Sequence, residues 1–465
     1  MASNATLPSL PTKAQEVDSP ATKAASSSLP TNGTKAQEVE SPAKKDGPQN
    51  VQRRLVTVRR VTSSTYLNSN YDLITIDGWK VVVKRTKGIV EGDWIVFLEA
   101  DCFVPAHGRF AKFERLFAEI GELSTYDGVE GYRVGMSTWR DHQGKQVVSQ
   151  GHVFALREFP HIEDKVFELR WERSRTHTDE QFLNYLRTLD FRNGLDVMKW
   201  ESPDDNNDNT QQQQLTVTTF PKYPHFILKP DMERVQNCPN LFLKPKYRTY
   251  LFQESVKLDG ASMTVYFLLP TNPSYSHLPT LPALSPASIL THPLLQHAVQ
   301  QLGRFGVCSR KHDLVPHLIS QATTPAQHIY WAAALAAKLH VSLPAGAAAG
   351  EHGSGSIAVQ GELVGAGIRG NPYGYAKGEH EFVIYAVYDV DRRKRWDPRK
   401  VVEFAERIGV RHVPVRGYHR IWDVARNHED LVVRAELRNA EGLVWKNVLD
   451  GRWFKVLSSR WVLEK

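Results

Sequence analysis

The chain has 465 residues, 41% of them hydrophobic and 10% aromatic, enough for two to three domains with real cores. No run of about 18 uninterrupted apolar residues occurs, so no membrane span is expected. The formal net charge is +7 and the pI is near 9.1. Residues 1–50 hold five lysines and five acids, so the whole excess lies on residues 51–465. A basic body suits a polyanionic partner, nucleic acid first, although a surface kept soluble by charge fits the balance equally well.

The first 50 residues are rich in Ala, Ser, Thr, Pro and Lys, and the stretch TKAQEVDSPA (12–21) returns as TKAQEVESPA (34–43). Such a segment cannot bury enough apolar surface to offset chain entropy, so a disordered tail is expected. Ser19-Pro20 and Ser41-Pro42 offer docking or phosphorylation as a lesser reading. The tail has no signal-peptide core, and its acids argue against a mitochondrial transit peptide. Cys102, Cys238 and Cys308 are too few and too dispersed for a disulfide framework or a zinc site. A reducing, intracellular compartment is expected, with nucleus and cytoplasm equally open.

Order is expected to begin near Arg53. RRLVTVRRV (53–61), LITIDGWKVVVK (73–84), GDWIVFLEA (92–100), YRV (132–134) and VVSQGHVFAL (147–156) read as short strands. Asp77-Gly78 is the signature of a tight hairpin. Several short strands in about 100 residues indicate a small barrel or sandwich, assigned to residues 51–199. Arg53, Arg54, Arg59, Arg60, Lys80, Lys84, Arg85 and Lys87 are interspersed with Tyr66, Trp79 and Trp94. Basic grooves with aromatic platforms hold nucleic-acid strands in OB barrels, while each aromatic taken singly reads better as core.

A polar linker or loop is expected over 200–219. From 220 to 465, strands (262–269, 382–390) mix with helical stretches (328–340, 400–409), an α+β pattern. A Pro/Ser-rich insertion (271–293) and PAGAAAGEHGSGS (344–356), read as a flexible loop, interrupt it.

Chemistry concentrates in ESVKLDGASMTVYF (254–267), which holds Lys257-Leu258-Asp259-Gly260. The K-x-D-G tetrapeptide alone is weak, since Lys44-Lys45-Asp46-Gly47 in the tail matches it too. What distinguishes Lys257 is its place between two β-rich runs, with Gly260 permitting a tight turn. A nucleophilic lysine must be unprotonated near neutral pH, and the expected means are burial and surrounding positive charge. Asp259, two residues on, projects to the same side. A solvated strand-end lysine is the plain alternative. Further candidates follow in order: Arg310 in FGVCSRKHDL, able to grip a ribose or phosphate; Glu362 on an apolar strand before a Gly-rich turn, costly there unless it binds something; Phe382, Tyr385 and Tyr388, one of which could stack on a purine; Glu441 and Lys446 flanking an apolar strand; and Lys455 within another, a counter-charge for phosphate.

This series resembles the successive nucleotidyltransferase motifs of ATP-dependent RNA ligases over most of 220–465. The amino-terminal unit looks like the OB domain that precedes the catalytic domain in one branch of them. The resemblance implies an OB-type β-barrel followed by an α+β nucleotidyltransferase (ATP-grasp-like ligase) domain. It implies a lysine that takes AMP from ATP, passes it to a 5′-phosphate end, and a 3′-hydroxyl that then displaces AMP, with Mg²⁺ or Mn²⁺ assisting. Carried over, Lys257 is the nucleophile and Lys455 the α-phosphate partner. Asp259 and Glu441 are metal-water ligands, Glu362 faces ribose or metal, Tyr385 or Phe382 faces adenine, Arg310 grips the nucleotide, and Lys446 is a second phosphate contact. The expected partner is RNA, including nicked duplex or RNA/DNA hybrid with RNA on the 3′-hydroxyl side, and the expected state is a monomer acting in RNA repair. Many relatives carry a K-x-K pair in the last motif, whereas here Val456 and Leu457 follow Lys455; Lys446 or Arg460 could compensate. Two rivals remain. In an mRNA-capping guanylyltransferase, as in a DNA ligase, an OB domain usually follows the last motif, and here the barrel-like unit lies upstream. The other is a non-catalytic nucleic-acid-binding protein, for which a retained set of buried charges would be expensive.

Overall fold

The computed structural model describes residues 53–201, 220–300, 302–319, 328–348, 355–438 and 440–463. The tail 1–50 and residues 202–219 of the expected linker lie outside them.

The first unit is built from β1 (Val56–Arg60), β2 (Ser63–Asn68), β3 (Tyr71–Ile76), β4 (Trp79–Lys84), β5 (Trp94–Glu99), β6 (Cys102–Pro105), β7 (Leu123–Tyr126), β8 (Val129–Val134), β9 (Ser137–Arg140), β10 (Gln146–Ser149) and β11 (Gly151–Ala155). β1 pairs with β5, and after Val61-Thr62 the chain pairs again as β2 with β3. β3 pairs with β4, β11 pairs with β5, and Gln150 N–H donates to the Lys80 carbonyl at 2.8 Å, so the strands curl into a barrel. Asp77 (φ 50°) and Gly78 (φ 84°) form the expected turn, whose left-handed backbone matches strand twist.

β5 explains why the sequence there is apolar without alternation. Ile95 and Phe97 face the barrel core with Trp79, while Val96 and Leu98 face a second core. That second core is closed by helices Pro160–Arg173 and Asp179–Leu186 through Ile162, Val166, Phe182 and Leu186. A strand covered on both faces cannot alternate. Trp79 is wholly buried and Trp94 packs against that second core, as the core reading of single aromatics expects.

The second unit uses β12 (Met198–Lys199), which still pairs with β6, then β13 (Glu233–Arg234), β14 (Leu251–Lys257), β15 (Ala261–Leu268), β16 (Val299–Gln300), β17 (Gly303–Cys308), β18 (Ile357–Gly365), β19 (His380–Asp389), β20 (Lys394–Arg395), β21 (Val415–Arg420), β22 (Gly442–Asn447) and β23 (Trp453–Leu457). Two sheets result, ordered β13-β23-β22-β14-β21 and β16-β17-β15-β18-β19-β20. Consecutive strands β14 and β15 belong to different sheets, so Leu258-Asp259-Gly260 carries the chain from one sheet to the other and leaves Lys257 at the seam.

Two expectations change in the helical parts. The stretch 328–340 is not one helix: Ile329–Ala336 and Leu339–Ala348 meet at Lys338, whose φ of +53° ends the first. The second helix takes in residues 344–348 of the expected flexible loop, because Leu339 and Leu343 are buried against the β15–β17 face. The insertion 271–293 holds a 3₁₀ turn (Pro273–His277) and a short helix (Pro286–Thr291) capped by Ser285. No helix among the described residues is long and apolar enough to cross a membrane.

Charged groups join the barrel to the second unit. Arg53 reaches Glu99 (2.8 Å) and Asp101 (2.7 Å), and Arg59 reaches Asp77 (3.0 Å). Across the junction, Asn237 bonds Glu99 and Glu233 and accepts from Arg59, and Glu233 accepts from the Arg54 backbone N–H at 2.9 Å. Breaking one partner of such a buried set is costly because it strands the other charge.

Burial holds several imidazoles neutral. It pushes His152 down to about 3, helped by Lys87 and Lys84, and His428 down to about 4. Folded values below the unfolded ~6.5 mean that this stabilisation is complete above about pH 6.5 and is lost as pH falls towards 4. The melting temperature should therefore drop steadily between pH 6.5 and 4. His152→Phe should make that acid slope shallower in scanning calorimetry; an unchanged slope would contradict the assignment.

Candidate active site at the seam of two sheets

Register places the nucleophile candidate. Lys257 pairs with Gly442 across β14–β22, which brings Glu441 beside it, and Lys257 Nζ meets Glu441 Oε2 at 2.5 Å. Glu362 approaches from the other sheet, opposite Ser262. Asp259 accepts from Trp461 Nε1 (3.1 Å), and its backbone N–H donates to the Tyr373 hydroxyl (2.6 Å). The three carboxylates therefore converge on one amine.

Their sign corrects one expectation. Lys257 was expected to be surrounded by positive charge; instead Glu441, Glu362 and Asp259 outweigh its burial and hold its pKa above the ordinary lysine value. In the protein alone the group is an ammonium. The Glu362 carboxyl is in turn pushed up to about 7 by burial, against the pull of Lys257. Its Oε2 is buried and has no hydrogen-bond partner.

Gly260 matters for a reason different from the expected one. A Cβ there would lie 2.5 Å from the Leu363 carbonyl and 3.0 Å from the Val364 side chain. The position demands close approach of two backbones rather than a left-handed turn.

A cleft of about 310 Å³, open solvent included, adjoins Lys257. Val256, Leu258, Val413 and Val444 supply apolar wall, with Tyr385 and Trp453 as the aromatic groups and Glu362 and Lys446 as polar ones. Tyr385 faces the cleft side with Val383 by strand alternation, and a bulge in β19 (Gln360 pairs with Ala386 and Gly361 with Ile384) puts Ala386 on that side as well. Phe382, by contrast, is 2% exposed and packs in the central core against Gly361. It is removed from the nucleotide-facing set because it sits on the opposite face of β19. Tyr388 is likewise buried, in a separate cluster with Tyr223 and Tyr266.

Lys446 lies in the cleft but donates to the Tyr385 carbonyl, and burial with Arg395 nearby pushes it down to about 7. Arg310 is held by Asp231 (2.7 Å) and Glu201 (3.2 Å), which also bind Lys199. Sequence reasoning missed these acids, since neither sits in a recognisable motif.

Lys455 pairs in register with Arg234 of β13. Burial, then Arg53 and Arg234, hold its pKa well below the lysine range. The cations beside Lys455 are Arg53 and Arg234, whereas sequence reasoning looked to Lys446 or Arg460. Arg53 was visible only as part of a basic run, and Arg234 carried no signal.

Among the described residues no three His, Cys, Asp or Glu side chains are arranged as a metal centre. The donors nonetheless suit a hard divalent cation, which takes one or two carboxylates and keeps waters. Glu441 and Glu362 are all-oxygen ligands at one spot, and the orphaned Glu362 Oε2 is an acceptor in want of a partner.

Comparison with known proteins gives the class. Residues 251–457 match the RNA ligase family model, and residues 55–156 match an OB-fold domain model. The chain therefore carries an RNA ligase domain behind an OB-fold domain. Among solved structures it resembles a Naegleria gruberi RNA ligase mutant with AMP and Mn, at a TM-score of 0.56 and 22% identity, covering 89% of this chain and 99% of that one. A mutant with ATP and Mn (TM-score 0.56, 23% identity) and the ligase with PPi (0.56, 22%) match over the same shares. At this identity the likeness is one of fold. No curated protein matches.

Gly260→Ala should lower unfolding free energy by about 1–3 kcal/mol, the usual cost of overpacking. Urea denaturation of the pure protein checks it, and an unchanged midpoint would show that the two strands have room to part.

Proposed function

We propose that the protein is an ATP-dependent RNA ligase that seals 3′-hydroxyl and 5′-phosphate ends through an AMP adduct on Lys257, in RNA repair. The observation that carries the reading is the convergence of Lys257, Glu441, Glu362 and Lys455 at the junction of two sheets. The RNA ligase domain and the fold shared with ligase structures bound to ATP, AMP and Mn support it.

In the first step Lys257 Nζ attacks the α-phosphorus, a P–N bond forms, and the P–O bond to pyrophosphate breaks. In the second, a 5′-phosphate oxygen displaces the lysine and the strand carries a 5′–5′ pyrophosphate. In the third, a 3′-hydroxyl oxygen attacks the 5′-phosphorus and AMP leaves. Lys455, with Arg234 beside it, stabilises negative charge on the phosphoryl oxygens. Tyr385 and the valine walls receive the purine. Glu441, Glu362 and Asp259 would hold Mg²⁺ or Mn²⁺, whose positive charge would offset these carboxylates and favour the free amine. Arg310 orients the nucleotide from its fixed place on Asp231 and Glu201.

The barrel offers an RNA-binding face. Tyr71 and Trp139 lie 4.6 Å apart beside Lys84, along a cleft walled by β9–β10. Tyr66 is half exposed under Arg85. These, rather than the buried Trp79, are the platforms available to unpaired bases. The strand at the 3′-hydroxyl side of a nick is expected to be RNA, with a monomer acting inside the cell.

Incubation with labelled ATP or GTP and a divalent cation, then a denaturing gel, should label the protein from ATP only. Lys257→Ala should abolish labelling, and sealing of a panel of RNA and DNA nicks should follow RNA at the 3′-hydroxyl end. A folded protein that takes no label would favour a non-catalytic RNA-binding role, and label from GTP would favour capping chemistry.

A further inference from the structure

Residues 392–400, RRKRWDPRK, carry six cations in nine positions. Arg392, Lys394, Arg395 and Lys400 line a groove of about 1170 Å³, open solvent included, together with Asp389, Asp397 and residues of the Asn447–Gly451 turn. Two of the six are neutralised locally: Arg392 pairs with Asp389 (2.9 Å) and Arg399 with Asp397 (2.5 Å). Arg393, Lys394 and Lys400 are exposed and form no ion pair with described residues. Arg395 is held over the Trp453 ring at 4.0 Å and donates to the Lys229 carbonyl.

Position gives the groove its meaning. The β22–β23 hairpin walls both spaces: Lys446 and Trp453 line the Lys257 cleft, and the turn between the same two strands lines the groove. The Arg395–Trp453 stack is the layer between them. The groove therefore adjoins the nucleotide cleft, with that stack as the wall between them.

We propose that this groove holds the phosphate backbone of the RNA strand beside the join. The inference rests on the RNA-ligase reading and names a substrate contact outside the nucleotide cleft. Lys394 and Lys400 on the groove and Arg393 beside it are exposed cations without an ion pair among the described residues, a charge that suits a polyanion. A protein partner that reads basic peptides needs an extended segment, and this one is folded. Lys394–Arg395 pairs with Tyr388–Asp389, and Pro398 opens a helix to Arg407.

The test is RNA binding by the full chain across a salt series, read by anisotropy of a labelled oligoribonucleotide. The variant Arg393→Gln/Lys394→Gln/Lys400→Gln should bind more weakly at low salt. Its slope of log affinity against log salt should be shallower by about 2, three contacts at about 0.7 each. Labelling of Lys257 from ATP without RNA should be unchanged. A control triple on the outer barrel helix, Lys165→Gln/Arg170→Gln/Arg173→Gln, should leave the slope as in the wild type. Equal slopes in wild type and groove variant overturn the proposal, as does an equal fall in both triples, which would show only net charge at work. A groove variant with normal RNA binding that instead loses affinity for a nuclear-import receptor overturns it too, in favour of a protein partner. If the wild type takes no label but the slope still falls, the groove stands and the ligase reading fails.

Discussion

The contact between Lys257 and Glu441 is the constraint around which the catalytic half is arranged. It requires β14 and β22 to be neighbours in a fixed register, since a slip of one residue would turn Lys257 to the other face. It also requires the turn after Lys257 to leave that sheet at once, so that Glu362 can approach from the second. Gly260 makes the departure sterically feasible by letting the backbone touch β18. The cost is a buried ammonium among carboxylates, tolerable because opposite charges are present in excess.

Glu441, Glu362 and Asp259 surround Lys257, while Arg53 and Arg234 lie beside Lys455 together with Asp101 and Glu99, with which they pair. Arg53 comes from the start of the barrel, and Asp101, on the barrel loop after β5, is held below the ordinary carboxylate range, against its burial, by Arg53, Arg234 and Lys455. The barrel is thus electrically part of the catalytic centre. The Glu99–Asn237–Glu233 bonds explain how that relation is held, because they leave few polar atoms free to slide.

Much of this was legible in the sequence where local rules suffice. Asp77-Gly78 announced its hairpin, and the polar alternation around β3 and β4 announced strands. The order of Lys257, Glu362, Glu441 and Lys455 pointed to a shared centre through its resemblance to RNA-ligase motifs, and Glu362 and Lys455 also sit on apolar strands where a lone charge is costly. What stayed hidden depended on long-range pairing. Phe382 and Tyr385 lie three residues apart, so alternation alone already puts them on opposite faces, but the apolar run does not say which face meets the nucleotide cleft and which the central core. Arg234 borders Lys455 through a two-residue parallel pairing that no pattern encodes. The helix break at Lys338 and the helix through Pro344 were set by packing on the sheet, which overrides local propensity. The charge state of Lys257 was misjudged because motif spacing shows which groups gather and not which sign prevails.

Mass spectrometry of the full chain after incubation with ATP and Mn²⁺ tests the central claim most directly. Digestion under alkaline conditions should recover AMP on the peptide that contains Lys257, in an acid-labile phosphoramidate. AMP found on another side chain, with Lys257 unmodified, would contradict the account.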